Sequence, residues 1–503
     1  ATRRHRTLQH PPQRGRYQGM ERLDLLLFHA YFLSSDPHEQ EIMRPFPPLG
    51  IQYIVAWLRQ QGMDRVDWFD STFAPGPESF YAELDRTDPR VVGLYGHTIT
   101  RPTARGMIAQ CRAQDRRVIA GGPDPVQYLT EYLDAGVEVV VIGEGEQTTQ
   151  ALIEHLRDHQ WAWDYSTLAD IDGIAYRPPG TDEITRTAPR ALLRPIDRFP
   201  WPARERRDLD SYFEAWRDRH GETALSMISS RGCPYHCTWC SKQVYGDTFR
   251  RRDVDEVIDE LVALKAEYAP DQIWFADDMF TINRRWVHRF CQRMVERDAV
   301  TPFYIIGRPE TLDPSLCAAL REAGCYRVYL SAESGAQHVL DAMRKESTVG
   351  DVLEAERLLR AAGIELGVFV MLGYPGETWK DVNATLQMLH TINPDVTLLS
   401  VAHPMKGTAF FDQVEDRIQH PVSQEQTNGG RLAFRMDQSA TFYDLAQRMI
   451  WAETRLVRKL RRREYDTDLL RLAVKAPLLR AGAWAAQTPL GDSWTRQNEA
   501  PPA

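Results

Sequence analysis

The amino-acid sequence predicts an α/β protein in three parts: an N-terminal doubly wound sheet of Rossmann-like or flavodoxin-like type, a second α/β unit of about six strand–helix repeats, and a mainly helical C-terminal region. Three observations carry this reading. Short apolar runs alternate with amphipathic stretches over residues 21–160, and the alternation resumes over 223–405. Between the two runs, residues 161–222 are rich in Pro, Arg and Asp. Beyond them, within 406–503, residues 441–486 keep helical periodicity with no strand pattern. A chain of 503 residues is too long for one ordinary domain, and 43% apolar content suffices for sizeable cores.

Residues 1–20 carry arginines, prolines and glycines without apolar periodicity and read as a disordered tail. A first strand is expected over 23–28 (LDLLLF), followed by Pro47-Pro48-Leu49-Gly50 and the helix IQYIVAWLRQQG, which stops at Gly62 as a C-terminal glycine should. The strand VDWFD follows. VVGLYG (91–96), RVIAGGP (117–123) and VEVVVIGEGE (137–146) read as further strands with their turns. They alternate with the helical stretches RPTARGMIAQCRAQ, VQYLTEYLDAG and QTTQALIEHLRDH. An open parallel sheet binds ligands at the carboxyl ends of its strands. The loops expected there, Gly121-Gly122-Pro123 and Gly143-Glu144-Gly145-Glu146, let a backbone approach a ligand closely because glycine puts no side chain in the way. Residues 161–222 hold a hairpin-like GIAYRPPGTDEITRTAP and the breaker cluster RFPWPA. They read as an ordered connector across both units, because Ile171, Ile174, Tyr176, Phe199 and Trp201 punctuate them.

The second unit opens with the apolar run Ala224-Leu225-Ser226-Met227-Ile228, and directly after it stands Ser230-Arg231-Gly232-Cys233-Pro234-Tyr235-His236-Cys237-Thr238-Trp239-Cys240. Helices are expected at 253–268, 283–297, 313–323, 336–344, 350–362 and 379–391. Strands are expected at 272–278, 302–308, 327–333, 365–373 and 395–404. The thiols of Cys233, Cys237 and Cys240 stand at C-x-x-x-C-x-x-C spacing. Thiolates hold iron–sulfur clusters, and a cubane with three cysteine ligands has one iron open to a small molecule. A zinc site and a disulfide-bonded loop compete with this reading. Zinc wants a fourth nearby Cys or His, and His236 lies between two cysteines where it does not easily reach the same metal. Disulfides are disfavoured in a chain without a secretory signal.

The cysteine loop, with the aromatic Trp239 before its third cysteine, resembles that of the radical S-adenosylmethionine superfamily. The resemblance implies a 4Fe-4S cluster on Cys233, Cys237 and Cys240, whose open iron chelates S-adenosyl-L-methionine. It also implies a partial (β/α)6 TIM-type barrel, with its catalytic residues at the strands' carboxyl ends. Several such ends match the family in order. Phe275-Ala276-Asp277-Asp278 stands where the second strand meets the methionine ammonium, and Ser331-Ala332-Glu333-Ser334-Gly335 where the fourth addresses ribose or carboxylate. Arg344-Lys345 would neutralise a carboxylate, and Leu372-Gly373-Tyr374-Pro375-Gly376-Glu377-Thr378 lies near adenosine. The cofactor contacts so implied are Trp239, Asp277, Asp278, Arg308, Ser331, Glu333, Ser334, Lys345 and Gly373.

The N-terminal unit resembles the cobalamin-binding domain that precedes one large branch of these enzymes. Implied corrin contacts are Pro48, Leu49, Gly50, Thr98, Gly121, Gly122, Gly143, Glu144, Gly145 and Glu146. The sequence departs from the Asp-x-His-x-x-Gly motif that supplies cobalt's lower ligand in better-known binders. Its nearest approach, Asp36-Pro37-His38-Glu39-Gln40-Glu41, lacks the glycine, so His38 is expected to be a solvated loop histidine.

The resemblance therefore implies a cobalamin-dependent radical methyltransferase acting on an unactivated carbon, or phosphorus, of a small-molecule or natural-product intermediate through methylcobalamin and a 5'-deoxyadenosyl radical. A radical cyclase or rearrangement enzyme, like the anaerobic magnesium-protoporphyrin cyclase, is the alternative. A non-catalytic cobalamin-binding regulator with a structural cluster is a third reading. Cys111, Cys291, Cys317 and Cys325 show no second cluster-like spacing, which argues against the methylthiotransferase branch. A flavodoxin or ferredoxin is the expected electron donor, and the chain is expected to be a monomer. Net charge of −9 argues against general affinity for nucleic acid. No run reaches the ~18 apolar residues of a membrane span, so a cytoplasmic protein is expected. The arginine-rich helices of 441–486 are expected to cap the core and not to rest on lipid.

Overall fold

Strand β1 (Leu25–His29) is the centre of the N-terminal sheet, and the period-two alternation of its side chains explains the layers around it. In the computed structural model, which describes residues 22–418 and 434–487, Leu25 and Leu27 join one apolar core while Leu26 and Phe28 join another. A strand that is apolar on both faces must be covered on both. The chain runs through α1 (Pro37–Ile42), α2 (Leu49–Gln60), β2 (Val66–Phe69), α3 (Pro77–Thr87), β3 (Val91–Tyr95), α4 (Arg101–Ala113), β4 (Arg117–Gly121), α5 (Pro123–Gln127), α6 (Leu129–Asp134), β5 (Val139–Val141) and α7 (Gly145–Asp158). The strands lie in the order β2-β1-β3-β4-β5, all parallel. Helices α2 and α7 pack on one face through Ile51, Val55, Leu152 and Ile153, and α3, α4 and α6 pack on the other. This is a doubly wound, flavodoxin-like sheet with its topological switch between β1 and β3.

Two elements depart from the expected pattern. Helix α3 was not anticipated; it packs through Phe80 and Leu84. The helix expected over VQYLTEYLDAG is broken at Tyr128, whose backbone leaves the helical region (φ −119°, ψ 48°) and whose ring stacks under the Arg101 guanidinium at 3.6 Å.

The connector is divided between the two units. Its hairpin, β6 (Ile174–Tyr176) and β7 (Thr185–Arg186), adds to β5 in antiparallel fashion and extends the first sheet. Helix α8 (Arg206–His220) sends Leu209 and Phe213 into the second core. Its Tyr212 hydroxyl donates to Asp70 at 2.7 Å, and its Trp216 Nε1 donates to the Pro45 carbonyl at 2.9 Å. It stops at Gly221, in the left-handed region at φ 77°.

The second unit follows with β8 (Ala224–Met227), the two-residue strands β9 (Ser230–Arg231) and β10 (Arg250–Arg251), α9 (Val254–Tyr268), β11 (Gln272–Phe275), α10 (Arg284–Glu296), β12 (Phe303–Gly307), α11 (Pro314–Glu322), β13 (Cys325–Glu333), α12 (Gln337–Ala342), α13 (Val349–Ala361), β14 (Glu365–Leu372), α14 (Trp379–Ile392) and β15 (Val396–Val401). Six strands, β8-β11-β12-β13-β14-β15, are parallel and neighbour one another in chain order. This is the expected partial (β/α)6 barrel. Strand β14 shows why helices clothe its outer face: Leu366, Val368, Val370 and Leu372 are buried in that core, while Phe369 and Met371, pointing the other way, are half-buried. The C-terminal region adds α15 (Ala409–Val414), α16 (Ala440–Arg462) and α17 (Thr467–Ala485). The tails expected at residues 1–20 and from Gly491 onward lie outside the described residues.

Candidate functional site

The cysteine loop leaves β8 at the carboxyl end of the barrel and returns through the antiparallel pair β9–β10. Gly232 stands at φ 84°, and a Cβ there would lie 2.1 Å from the Thr248 carbonyl oxygen, so the residue before Cys233 has to be glycine. Thr238 fixes the far side. Its N–H donates to the Met343 carbonyl at 3.0 Å, its carbonyl accepts from Phe410 N–H at 2.9 Å, and its hydroxyl pairs with Tyr374 at 2.7 Å. The three thiols are half-buried. Burial, with neighbouring charges behind it, pushes Cys233 up and Cys240 up to about 11, so their thiolates call for a cationic partner. Among the described residues no three His, Cys, Asp or Glu side chains converge on a single-ion site.

The residues singled out along the barrel rim separate into two groups. Trp239, Arg308, Glu333 and Lys345 crowd the same corner, and Ser331 stands two residues before Glu333 on β13. Lys345 Nζ lies 3.2 Å from Glu333 Oε1 and 5.8 Å from the Trp239 ring centroid. Arg308 stacks on Tyr235 at 3.6 Å and donates to Glu310 and to the Lys345 carbonyl. Burial raises the Glu333 carboxyl, against the pull of Lys345 and Arg308. Glu333 also stands at φ 57°, a costly position for a side-chain-bearing residue, at an irregularity in the β13–β14 ladder. Ser331 Oγ and Trp239 Nε1 are buried without a partner, as polar atoms awaiting a ligand are.

The second group has structural employment. Asp277 accepts from the N–H groups of Ser229 at 2.6 Å and Ser230 at 3.1 Å, from the Ser229 hydroxyl, and from Arg251 at 3.2 Å. Its carboxylate is saturated, whereas its neighbour Asp278 is exposed at the rim. Ser334 Oγ lies 3.3 Å from Thr385 Oγ1 and accepts from Ala336 N–H at 3.2 Å. Gly373 lies under the C-terminal region, where a Cβ would meet Met436 at 2.3 Å and Tyr443 at 3.1 Å.

A cleft open to solvent runs between the carboxyl edge of the first sheet and the barrel. Of the residues named as corrin contacts, Leu49, Gly50, Gly121, Gly122, Gly143, Glu144, Gly145 and Glu146 line it, and Pro48 and Thr98 do not. His38 is exposed on α1, and no histidine lines the cleft among the described residues. The opposite wall is barrel: Ile228, Arg231, Val244, Tyr245 and Ala276. The glycines form a cradle that side chains would fill. A Cβ on Gly122 (φ 98°) would lie 2.6 Å from the Gly96 carbonyl, and one on Gly145 would lie 2.6 Å from Ile54. A broad, mainly apolar slot with a glycine floor fits a corrin.

Sequence reasoning missed Arg231. Its guanidinium donates to Glu144 at 2.7 Å and to Glu146 at 2.6 Å, and Arg250 adds a bond to Glu144 at 2.7 Å. Arg231 also stacks on Phe199 at 4.2 Å and Tyr53 at 5.0 Å. The two glutamates thus tie the first sheet to the strand that leads into Cys233, and their carboxylates are already engaged. Its place two residues before a cluster cysteine was the available signal.

Residues 41–153 match the family model of the B12 binding domain, and residues 227–389 match that of the radical SAM superfamily. An uncharacterized methyltransferase of Pyrococcus horikoshii is 28% identical over 375 residues, covering 73% of this chain and 78% of its own length. The anaerobic magnesium-protoporphyrin IX monomethyl ester cyclase of Cereibacter sphaeroides is 26% identical over 403 residues, covering 75% of this chain and 62% of the relative. The radical S-adenosylmethionine methyltransferase TsrM of Kitasatospora setae, solved with cobalamin and a 4Fe-4S cluster bound, shares the fold with a TM-score of 0.65 at 19% identity, over 78% of this chain and 75% of that one.

Proposed function

The chain belongs to the enzymes that join a B12 binding domain to a radical S-adenosylmethionine domain, and on that premise we propose that it is a methyltransferase acting on an unactivated carbon, or a phosphorus, of a small-molecule or natural-product intermediate. The observation that supports this reading best is the cleft, whose one wall is the glycine edge of the first sheet and whose other is the barrel mouth beside the cysteine loop. When bound, the cluster and S-adenosyl-L-methionine supply a 5'-deoxyadenosyl radical, and cobalamin carries the methyl group.

This chain's own side chains then have definable tasks. Cys233, Cys237 and Cys240 hold the cluster, and Thr238, tied on three sides, sets their loop. Asp278 and the orphaned Ser331 hydroxyl face S-adenosyl-L-methionine, an acceptor being the group an ammonium can use. Lys345 and Arg308 supply positive charge beside its carboxylate. Tyr245, Val244 and Ile228 form the barrel side of the cleft and would limit water beside the reactive partners once these are bound. Electrons come from a small flavodoxin- or ferredoxin-type donor, and the enzyme works as a monomer.

The test is anaerobic reconstitution with cluster and cobalamin, followed by assay with methyl-labelled S-adenosyl-L-methionine and candidate substrates. Label in the product together with 5'-deoxyadenosine supports methyl transfer. Deoxyadenosine with an unlabelled, oxidised product supports the second reading, radical cyclisation, which the likeness to the protoporphyrin cyclase favours. Absence of deoxyadenosine from fully loaded protein sinks both.

A further inference from the structure

Helix α17 is apolar on the side that faces the protein and apolar on the side that faces away. Its inner face packs through Leu472, Ala476 and Leu479. Its outer arc is formed by Leu470, Ala473, Val474, Pro477, Leu478 and Ala481, with Trp484 at its end, and all seven are exposed. Leu470 and Leu478 are each 68% accessible, and Val474 and Trp484 are each 65%. At 100° per residue these positions fall on one continuous side of the helix, with no charge among them. A helix apolar on two opposite sides needs both covered, yet this one is outermost.

The charges beside the arc identify what covers it. Arg471 and Lys475 stand on its flank, and neither has an ion-pair partner among the described residues. Across α16, α17 and their turn, residues 440–487, ten Lys and Arg stand against five Asp and Glu, in a chain whose net charge is −9. Tyr465, 73% accessible in the turn before α17, and Trp484 place an aromatic ring near each end of the helix, as interfacial helices do. An acidic protein would answer the cations but leave the arc wet. A bilayer with anionic headgroups answers both at once. No helix among the described residues is long and apolar enough to cross a membrane, and the inner face of α17 is held by the protein, so the helix lies along the interface.

We propose that the outer face of α17 seats the enzyme on an anionic lipid surface, with the apolar arc in the headgroup–acyl boundary and Arg471 and Lys475 against the phosphates. The holoprotein should co-sediment with vesicles of phosphatidylcholine and phosphatidylglycerol, and poorly with phosphatidylcholine alone. Binding should weaken with salt, as surface charges are screened. Leu470→Ser, Val474→Ser and Leu478→Ser combined should lower the partition coefficient by at least about tenfold, and Arg471→Gln with Lys475→Gln by roughly tenfold on the anionic vesicles only. Leu470, Val474, Leu478 and Arg471 are exposed and Lys475 is half-buried, all outside the packed inner face, so far-UV circular dichroism and cluster content should not change. If the wild type ignores both kinds of vesicle, or if the serine variant binds as tightly as the wild type, the proposal falls. If α17 instead mediates a concentration-dependent dimer that vesicles do not dissociate, the occupant is a second copy of this chain and the proposal is equally overturned.

Discussion

Replacing Arg231 by Met removes a guanidinium but keeps an apolar stem against Phe199 and Tyr53, so the perturbation is chiefly electrostatic. The side chains of Arg231, Glu144 and Glu146 are 4%, 9% and 5% exposed, and water cannot take over the lost bonds without entering the interface. Glu144 retains Arg250 at 2.7 Å, whereas Glu146 is left as a buried charge without its ion-pair partner. Stripping one partner from such a pair costs about 3–5 kcal/mol. The retained Arg250 and the positive end of α7, whose first turn holds Glu146, place the expected loss near 3 kcal/mol. Glu146→Gln removes the charge that Arg231→Met strands, so the double variant should be no more than about 1 kcal/mol below Glu146→Gln alone. Urea unfolding followed by tryptophan fluorescence, read at the first transition, measures the loss. Because both glutamates line the cleft, a cobalamin titration of each variant should follow the same rank order. If the two single changes add to within about 0.5 kcal/mol, the pair is not coupled and the clamp does not hold the modules together.

Gly122→Ala forces a Cβ to within 2.6 Å of the Gly96 carbonyl at a φ of 98°, and a loss of cobalamin affinity of about tenfold or more is expected by spectroscopic titration; unchanged affinity would mean the cradle is not the corrin floor. His38→Ala should leave bound cobalamin and its absorption spectrum as they are, since His38 is exposed and outside the cleft; a bleached spectrum would restore it as a cobalt ligand. Glu377 is buried, which raises its carboxyl from 4.5 to about 8, partly offset by the Gly373 N–H. Its folded value exceeds its unfolded one, so its contribution is fully present below about pH 4.5 and is lost as pH rises through about 8. Glu377→Gln should flatten the fall in thermal midpoint across that window, and a slope identical to the wild type would contradict a neutral Glu377 in the folded protein.

The architecture was readable because each level of it leaves a local trace: β1 is apolar on both faces, and the six strands of the barrel are separated by helices with recognisable caps. The site was readable to the extent that its residues follow the cysteine loop in a characteristic order. Which polar residue of each segment points at a ligand was not readable. Asp277 and Asp278 are adjacent and chemically alike, but Asp277 is consumed by Ser229, Ser230 and Arg251, partners 26 to 48 residues away in the chain. Gly373 reads as a ligand-facing glycine, and in the fold a Cβ there would meet Met436 and Tyr443, far downstream. The apolar outer arc of α17 was missed for the opposite reason. Leucines on two sides of a helix read as a core, and the sequence does not say which side the core occupies.

The same long-range pairs explain how two modules can present cofactors to one another without a rigid linker. Glu144 and Glu146 anchor the first sheet to Arg231 and Arg250, Asp277 anchors the second barrel strand to Arg251 and the residues before Arg231, and Lys345 closes on Glu333 beside Trp239. Arg231 lies two residues from Cys233, about 7 Å of chain at most, and Gly232 between them admits no other residue type. The wall of the cleft and the cysteine loop are therefore joined through one guanidinium and one locked glycine. These carboxylates do their work by being neutralised inside the protein, which leaves the slot between the modules mainly apolar. A buried ion pair is a weak source of net stability but a strict one of position, and position is what two reactive cofactors facing one cavity require.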